Sequence, residues 1–214
     1  MKKYFVEFIG TFFLVFTIGN VVVVPGSGLF ASGAGLFAPL AIGAVLTAMI
    51  YAGAHISGAH YNPAVTMAFW FRGKMKSGDV FPYMVTQVVA GVLAALAVML
   101  VKGAPETLPM EISPLPALIA ETLFTFALCL VILEVSTSKA IQGNSYYGIA
   151  IGLTVMGGAY AVGSISGGAF NPAVAVGMII MGIVDPSSIW IYLCANSIGG
   201  FFAPAIYKLI HSDE

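Results

Sequence analysis

Two stretches decide how this chain folds: SGAHYNPAV at 57–65 and SGGAFNPAV at 166–174. Each carries an Asn-Pro-Ala box, Asn62-Pro63-Ala64 and Asn171-Pro172-Ala173, and the boxes stand 109 residues apart (from Asn62 to Asn171) in a chain of 214. The second half therefore restates the first. A short polar motif doubled inside an apolar chain is the pattern of a membrane pore built from two halves.

The similarity extends outward from the boxes. Residues 41–65 and 150–174 are identical at 12 of 25 positions, including Ala41-Ile42-Gly43 with Ala150-Ile151-Gly152 and Tyr51-Ala52 with Tyr160-Ala161. Further out, Glu7, Thr11 and Phe12 match Glu121, Thr125 and Phe126, and Gly91 and Ala94 match Gly200 and Ala203. The chain reads as a single domain, 1–214, with repeats over about 1–105 and 116–214.

Composition sets the solvent. Apolar residues make up 59% of the chain and charged residues 8%, against about 25% charge in a soluble domain. Six apolar stretches approach the ~20 residues that span a bilayer: 4–24, 37–55, 80–101, 116–135, 146–163 and 188–208. Met1-Lys2-Lys3 before an apolar run resembles a cleaved leader. Glu7 interrupts that run, and the run has a counterpart in the second half, so it reads as a retained helix. The expected class is an all-α membrane protein with six transmembrane helices. A net charge of −1 gives no footing for nucleic acid. Cys129 and Cys194 lie in apolar segments and read as small buried hydrophobes, with no metal-ligand spacing around them.

Charge placement gives orientation. Lys2, Lys3, Arg72, Lys74, Lys76, Lys139 and Lys208 fall on one side of six crossings, and Lys102 on the other. The positive-inside rule then makes both termini cytoplasmic. Each half holds three crossings, an odd number, so the repeats are inverted about an axis in the membrane plane.

The boxes carry the chemistry. The Gly-rich stretches His55–Tyr61 and Ser164–Phe170 are too polar and too flexible for a lipid-facing helix, and irregular backbone at membrane depth is tolerated only in protein or along a wet cavity. Asn caps and Pro at the first helical position start a helix. The residues that follow, 64–71 and 173–181, reach only half-way across. Each half thus holds a re-entrant half-helix, and the two N-termini meet at the midplane. Such termini carry about +0.5 charge each, which opposes cations. Asn62 and Asn171 supply amide donors there. The backbone of Gly58, Ala59 and His60, and of Gly167, Gly168 and Ala169, supplies a ladder of carbonyl acceptors for a neutral, hydroxyl-bearing solute.

On these residues the chain resembles the aquaporin and aquaglyceroporin family, the major intrinsic proteins, over nearly its whole length. The resemblance implies a passive channel for water or small uncharged solutes in a plasma or bacterial inner membrane, assembled as a homotetramer, with no cofactor. It also implies a filter at four positions, here Ile42, Ala159, Gly168 and Val174. The family usually places Arg directly after the second box, and Val174 stands there instead. Its water-selective members favour an aromatic and a His where this chain has Ile42 and Ala159. The expected filter is therefore wide and apolar, suited to glycerol, urea, ammonia or metalloid hydroxides as well as water.

Rival readings are open to test. Glu7 and Glu121 are ionisable groups in spanning helices, a functional signal by default. They fit either a proton relay or, with one per half, a brace for the two pore loops. His60 fits loop packing or pH sensing, and His211 has no assigned role. Three His and no hydrolase or phosphate-loop motif leave little for an enzyme. An ion-coupled secondary transporter also uses inverted repeats and broken helices and is the alternative function.

Overall fold

A computed structural model describes residues 1–24, 28–29, 33–103 and 108–213. Its helices are α1 Lys2–Val22, α2 Gly33–Ser57, α3 Pro63–Phe71, α4 Ser77–Lys102, α5 Pro114–Thr137, α6 Tyr147–Ser166, α7 Pro172–Ile180 and α8 Ile189–Ile210. The order long, long, short, long occurs twice. Six of these helices are long and apolar enough to cross a membrane. With six crossings the termini share one face, called here the near face; the opposite one is the far face. The remaining regular structure is minor: 3-10 turns at Lys139–Ile141 and Pro186–Ser188, and an antiparallel pair of two-residue strands, Val23–Val24 and Gly28–Leu29. The far-face connection between the first two apolar stretches lies partly outside the described residues.

The helices turn aliphatic and aromatic side chains outward: Leu93, Leu96, Leu123, Leu153 and Phe201 are all exposed. This surface suits lipid, where association depends on close packing rather than on burial from water. The packing is correspondingly tight at small residues. A Cβ added at Gly91 would lie 2.6 Å from the Ala173 carbonyl oxygen, and one at Gly200 would lie 2.8 Å from that of Ala64. Each half-helix therefore beds on the last long helix of the other half, α3 on α8 and α7 on α4. Gly43 and Gly152, counterparts in the repeat, meet where α2 crosses α6.

The pore loops are shorter than the sequence suggested. α2 continues through Ser57 and α6 through Ser166, so the irregular backbone begins at Gly58 and Gly167 rather than at His55 and Ser164. Both glycines take positive φ, +89° and +83°, the left-handed conformation that ends helices. The signal that stops each helix is thus the first left-handed glycine, not the first polar residue. The half-helices start at Pro63 and Pro172, with Asn62 and Asn171 as their caps, as the Asn-Pro pairs led one to expect.

Polar contacts hold the near face. Lys3 pairs with Asp79 at 2.6 Å, and Lys208 donates to the Phe71 carbonyl at the end of α3 at 3.0 Å. His211, given no role by the sequence, lies 2.9 Å from Glu134 and ties the end of α8 to α5. On the far face Lys102 donates to the carbonyls of Asn20 and Val23 at the end of α1, a favourable place for a cation.

Candidate pore and its two loops

Each box caps its own half-helix and crosses to the other loop. Asn62 Oδ1 accepts the Ala64 N–H at 2.8 Å, and Asn171 Oδ1 accepts that of Ala173 at 2.9 Å. The amide nitrogens then exchange partners: Asn62 Nδ2 donates to the Phe170 carbonyl at 2.8 Å, and Asn171 Nδ2 donates to the Tyr61 carbonyl at 2.9 Å. Each amide has a second N–H, and both Asn residues line a central channel. Pro63, Ala64 and Pro172 face the opposite way, into an apolar groove between α4 and α8. Ala173 is fully buried.

Two carboxylates reach the loops from behind. Glu7 Oε1 accepts from Ser57 Oγ at 2.7 Å and His60 N at 2.9 Å; its Oε2 accepts from Tyr61 N at 2.7 Å and Gln87 Nε2 at 2.9 Å. Glu121 repeats the pattern with Ser166 Oγ at 2.7 Å, Ala169 N at 2.9 Å and Phe170 N at 2.7 Å. Asn196, its amide nitrogen turned toward Glu121, donates to Oε2 at 3.2 Å and to Thr125 Oγ1 at 2.8 Å, while its oxygen accepts the Asn171 N–H at 3.0 Å. Both carboxylates are fully buried. These bonds hold backbone that L-residues adopt reluctantly, since Ala59, Tyr61 and Phe170 have φ of +51°, +51° and +48°.

Gln87 and Asn196 did not stand out in the sequence, nor did Tyr83 and Tyr192. Tyr83 donates its hydroxyl to the Ser57 carbonyl at 2.9 Å, and Tyr192 donates to that of Ser166 at 2.5 Å. All four sit at corresponding places under the offset of the boxes, and extending the alignment into α4 and α8 finds them.

With the N–H groups drawn back to the glutamates, the carbonyls remain. Among the described residues, the carbonyls of Ala59, His60, Gly168 and Ala169 accept no hydrogen bond from protein, and these four residues line the channel. Gly58 is exposed at the near end, and Gly167 lines the far-side vestibule. The rest of the channel wall is aliphatic: Leu14, Leu46, Ile50, Leu128, Ile132 and Val155 contribute. His60 is fixed in the wall, its Nδ1 3.1 Å from Thr66 Oγ1 and its ring stacked on Phe69 at 4.3 Å.

Of the four expected filter positions, Ile42, Gly168 and Val174 line both the channel and the vestibule, and so stand where one opens into the other. Ala159 stands in the vestibule wall. Ile18 of α1, which the sequence did not single out, joins the first three at the junction. No cluster of three or more potential metal ligands occurs among the described residues.

Comparison with known proteins settles the family. The model for major intrinsic proteins matches residues 1–207. The chain belongs to the major intrinsic protein family. It is 36% identical to a putative aquaporin, NIP4-1, of Arabidopsis thaliana, over 98% of this chain and 74% of that protein. A glycerol uptake facilitator protein-like 6 of Lactiplantibacillus plantarum is 33% identical over 100% of both chains. In fold, the chain superposes on the X-ray structure of the aquaglyceroporin from Plasmodium falciparum with a TM-score of 0.79, at 23% identity, covering 97% of this chain and 95% of that one. The family is one of membrane channels, not enzymes, and this chain is a multi-pass integral membrane protein.

Proposed function

We propose that this major intrinsic protein is a passive channel for water and small neutral solutes, among them glycerol, urea, ammonia and metalloid hydroxides. The observation that carries the reading is the midplane crossing of the boxes. Asn62 and Asn171 each commit one amide N–H to the opposite loop and cap a half-helix whose N-terminus points at the channel. A solute there meets two further N–H donors, a run of carbonyl acceptors and an aliphatic wall. A hydroxyl or amine can exchange water contacts for these, while a cation meets the positive ends of two helices.

The filter positions Ile42, Ala159, Gly168 and Val174 offer no side-chain donor and no fixed charge, which favours solutes beyond water. Glu7 and Glu121 act as braces for the loops, a reading supported by their full complement of loop and side-chain donors. The near face, with the greater share of Lys and Arg, is cytoplasmic in a plasma or bacterial inner membrane. The working unit is a homotetramer with one pore per subunit. The test is stopped-flow flux of water, glycerol, urea and boric acid into proteoliposomes. Equilibration along the gradient supports the channel; accumulation above equilibrium under a proton or sodium gradient supports an ion-coupled transporter instead.

A further inference from the structure

The channel wall repeats as the sequence does. The offset that carries Asn62 to Asn171 also carries Ile42 to Ile151, Leu46 to Val155 and Val65 to Val174, and all of these line the channel. On the loops it carries Ala59 to Gly168 and His60 to Ala169, again all in the wall. The register that places Glu7 on Glu121 carries Leu14 to Leu128 and Ile18 to Ile132, four more lining residues. Because the repeats are inverted, a residue at the far end of the channel has its counterpart at the near end.

At the far end, Ile18, Ile42, Gly168 and Val174 mark the junction with the vestibule. Their counterparts are Ile132, Ile151, Ala59 and Val65. The two rings are not equal in bulk. Ala59 replaces Gly168, and His60 replaces Ala169 beside it. Ile50 lines the channel at the position whose counterpart, Ala159, stands in the open vestibule. Each of these three differences adds side chain at the near end. Val65, Ile132 and Ile151 are β-branched and stiff at χ1, and His60 is held by Thr66 and Phe69, so this end cannot easily widen by rotamer changes.

We propose that the near-side ring of Ile132, Ile151, Val65 and Ala59, with Ile50 beside it, is a second constriction, and that it sets the size of solute this channel passes. The proposal rests on the channel reading above. A solute reaching this ring is stripped of water on its aliphatic side and keeps hydrogen bonds only toward the loop carbonyls and the His60 ring, which also lines the channel. Small uncharged solutes with one apolar edge and one hydroxyl or amine edge fit that surface.

Two substitutions remove two of the three differences and leave His60, which packs on Thr66 and Phe69, in place. Ala59→Gly suits the backbone, since Ala59 already has φ +51°, and Ile50→Ala copies Ala159. The experiment compares glycerol-to-water permeability ratios in proteoliposomes at matched protein density for wild type, Ala59→Gly, Ile50→Ala, the double variant and the far-ring variant Ile42→Ala. The ratio is expected to rise in Ala59→Gly and Ile50→Ala and to reach about tenfold in the double variant, the low end of what a difference of a methylene in fit supplies. Ile42→Ala is expected to change it less. A ratio that responds to Ile42→Ala as strongly as to the double variant, or that fails to rise in Ala59→Gly, overturns the proposal and leaves the channel reading standing. Wild-type flux no greater than that of protein-free liposomes overturns both.

Discussion

Replacing Glu7 by Ala and by Gln separates a brace from a proton relay, and the structure gives the expected size of each effect. Four donors converge on the Glu7 carboxylate, two on each oxygen. The Ser57 hydroxyl can turn away, but His60 N and Tyr61 N cannot. Glu7→Ala leaves the two backbone N–H groups unpaired at about 1–3 kcal/mol each, so about 2–6 kcal/mol in all, while Gln87 Nε2 keeps its bond to Thr66 Oγ1 at 3.0 Å. Gln keeps one oxygen. Placed toward Tyr61 N and Gln87 Nε2, that oxygen serves both, and the amide nitrogen leaves only the His60 N–H orphaned, a cost of about 1–3 kcal/mol. The expected order of thermal stability in mild detergent is therefore wild type, then Glu7→Gln, then Glu7→Ala, with flux lost in the same order as the loop relaxes from its left-handed residues. Glu121, with the same arrangement of donors, should show the same order. Equal damage from Gln and Ala, together with loss of a pH response in flux, would refute the bracing argument and favour a relay.

Three further outcomes are expected. Val174→Arg places a large charged side chain at the far junction, which should then become the narrower ring; glycerol flux falls more than water flux in liposomes, and any cation leak falls with it. Gly91→Ala sets a Cβ 2.6 Å from the Ala173 carbonyl oxygen, pushing α7 away from α4 at a cost of about 1–3 kcal/mol, read as a lower melting temperature in detergent. The Asp185 carboxyl, outside the spans, is held below its ordinary range by hydrogen bonds from the Ser187 hydroxyl and N–H. A depressed acid stabilises the fold above its unfolded pKa and loses that contribution as pH falls through the folded one. Protection of the Ser187 amide against hydrogen exchange should therefore hold at neutral pH and drop below about pH 4, and Asp185→Asn should flatten that dependence.

Much of the architecture was legible because the decisive residues are local signals. Asn-Pro starts a helix at both places where it occurs in this chain, six apolar runs count the spans, and the repeat fixes their inversion. The loops begin three residues later than the polar, Gly-rich stretches suggest, because a polar residue such as His55 or Ser164 can stay helical and the break comes only at the left-handed Gly58 and Gly167. Glu7 and Glu121 were visible as charges in apolar helices. Their partners Gln87 and Asn196 were not, because a neutral amide in an apolar run carries no signal until the alignment is extended to it. Ile18 and Ile132 were hidden for a different reason. An isoleucine facing a channel and one facing lipid look alike in sequence, and only the packing of α1 and α5 tells them apart.

The central claim is that solutes cross this protein down their own gradients through one lumen bounded by the two boxes. The most direct test follows glycerol in proteoliposomes bearing an imposed proton or sodium gradient, with and without the protein. The account predicts faster equilibration with the protein and the same end point whatever the ion gradient. An interior glycerol concentration that rises above the outside value and collapses with an ionophore would contradict it.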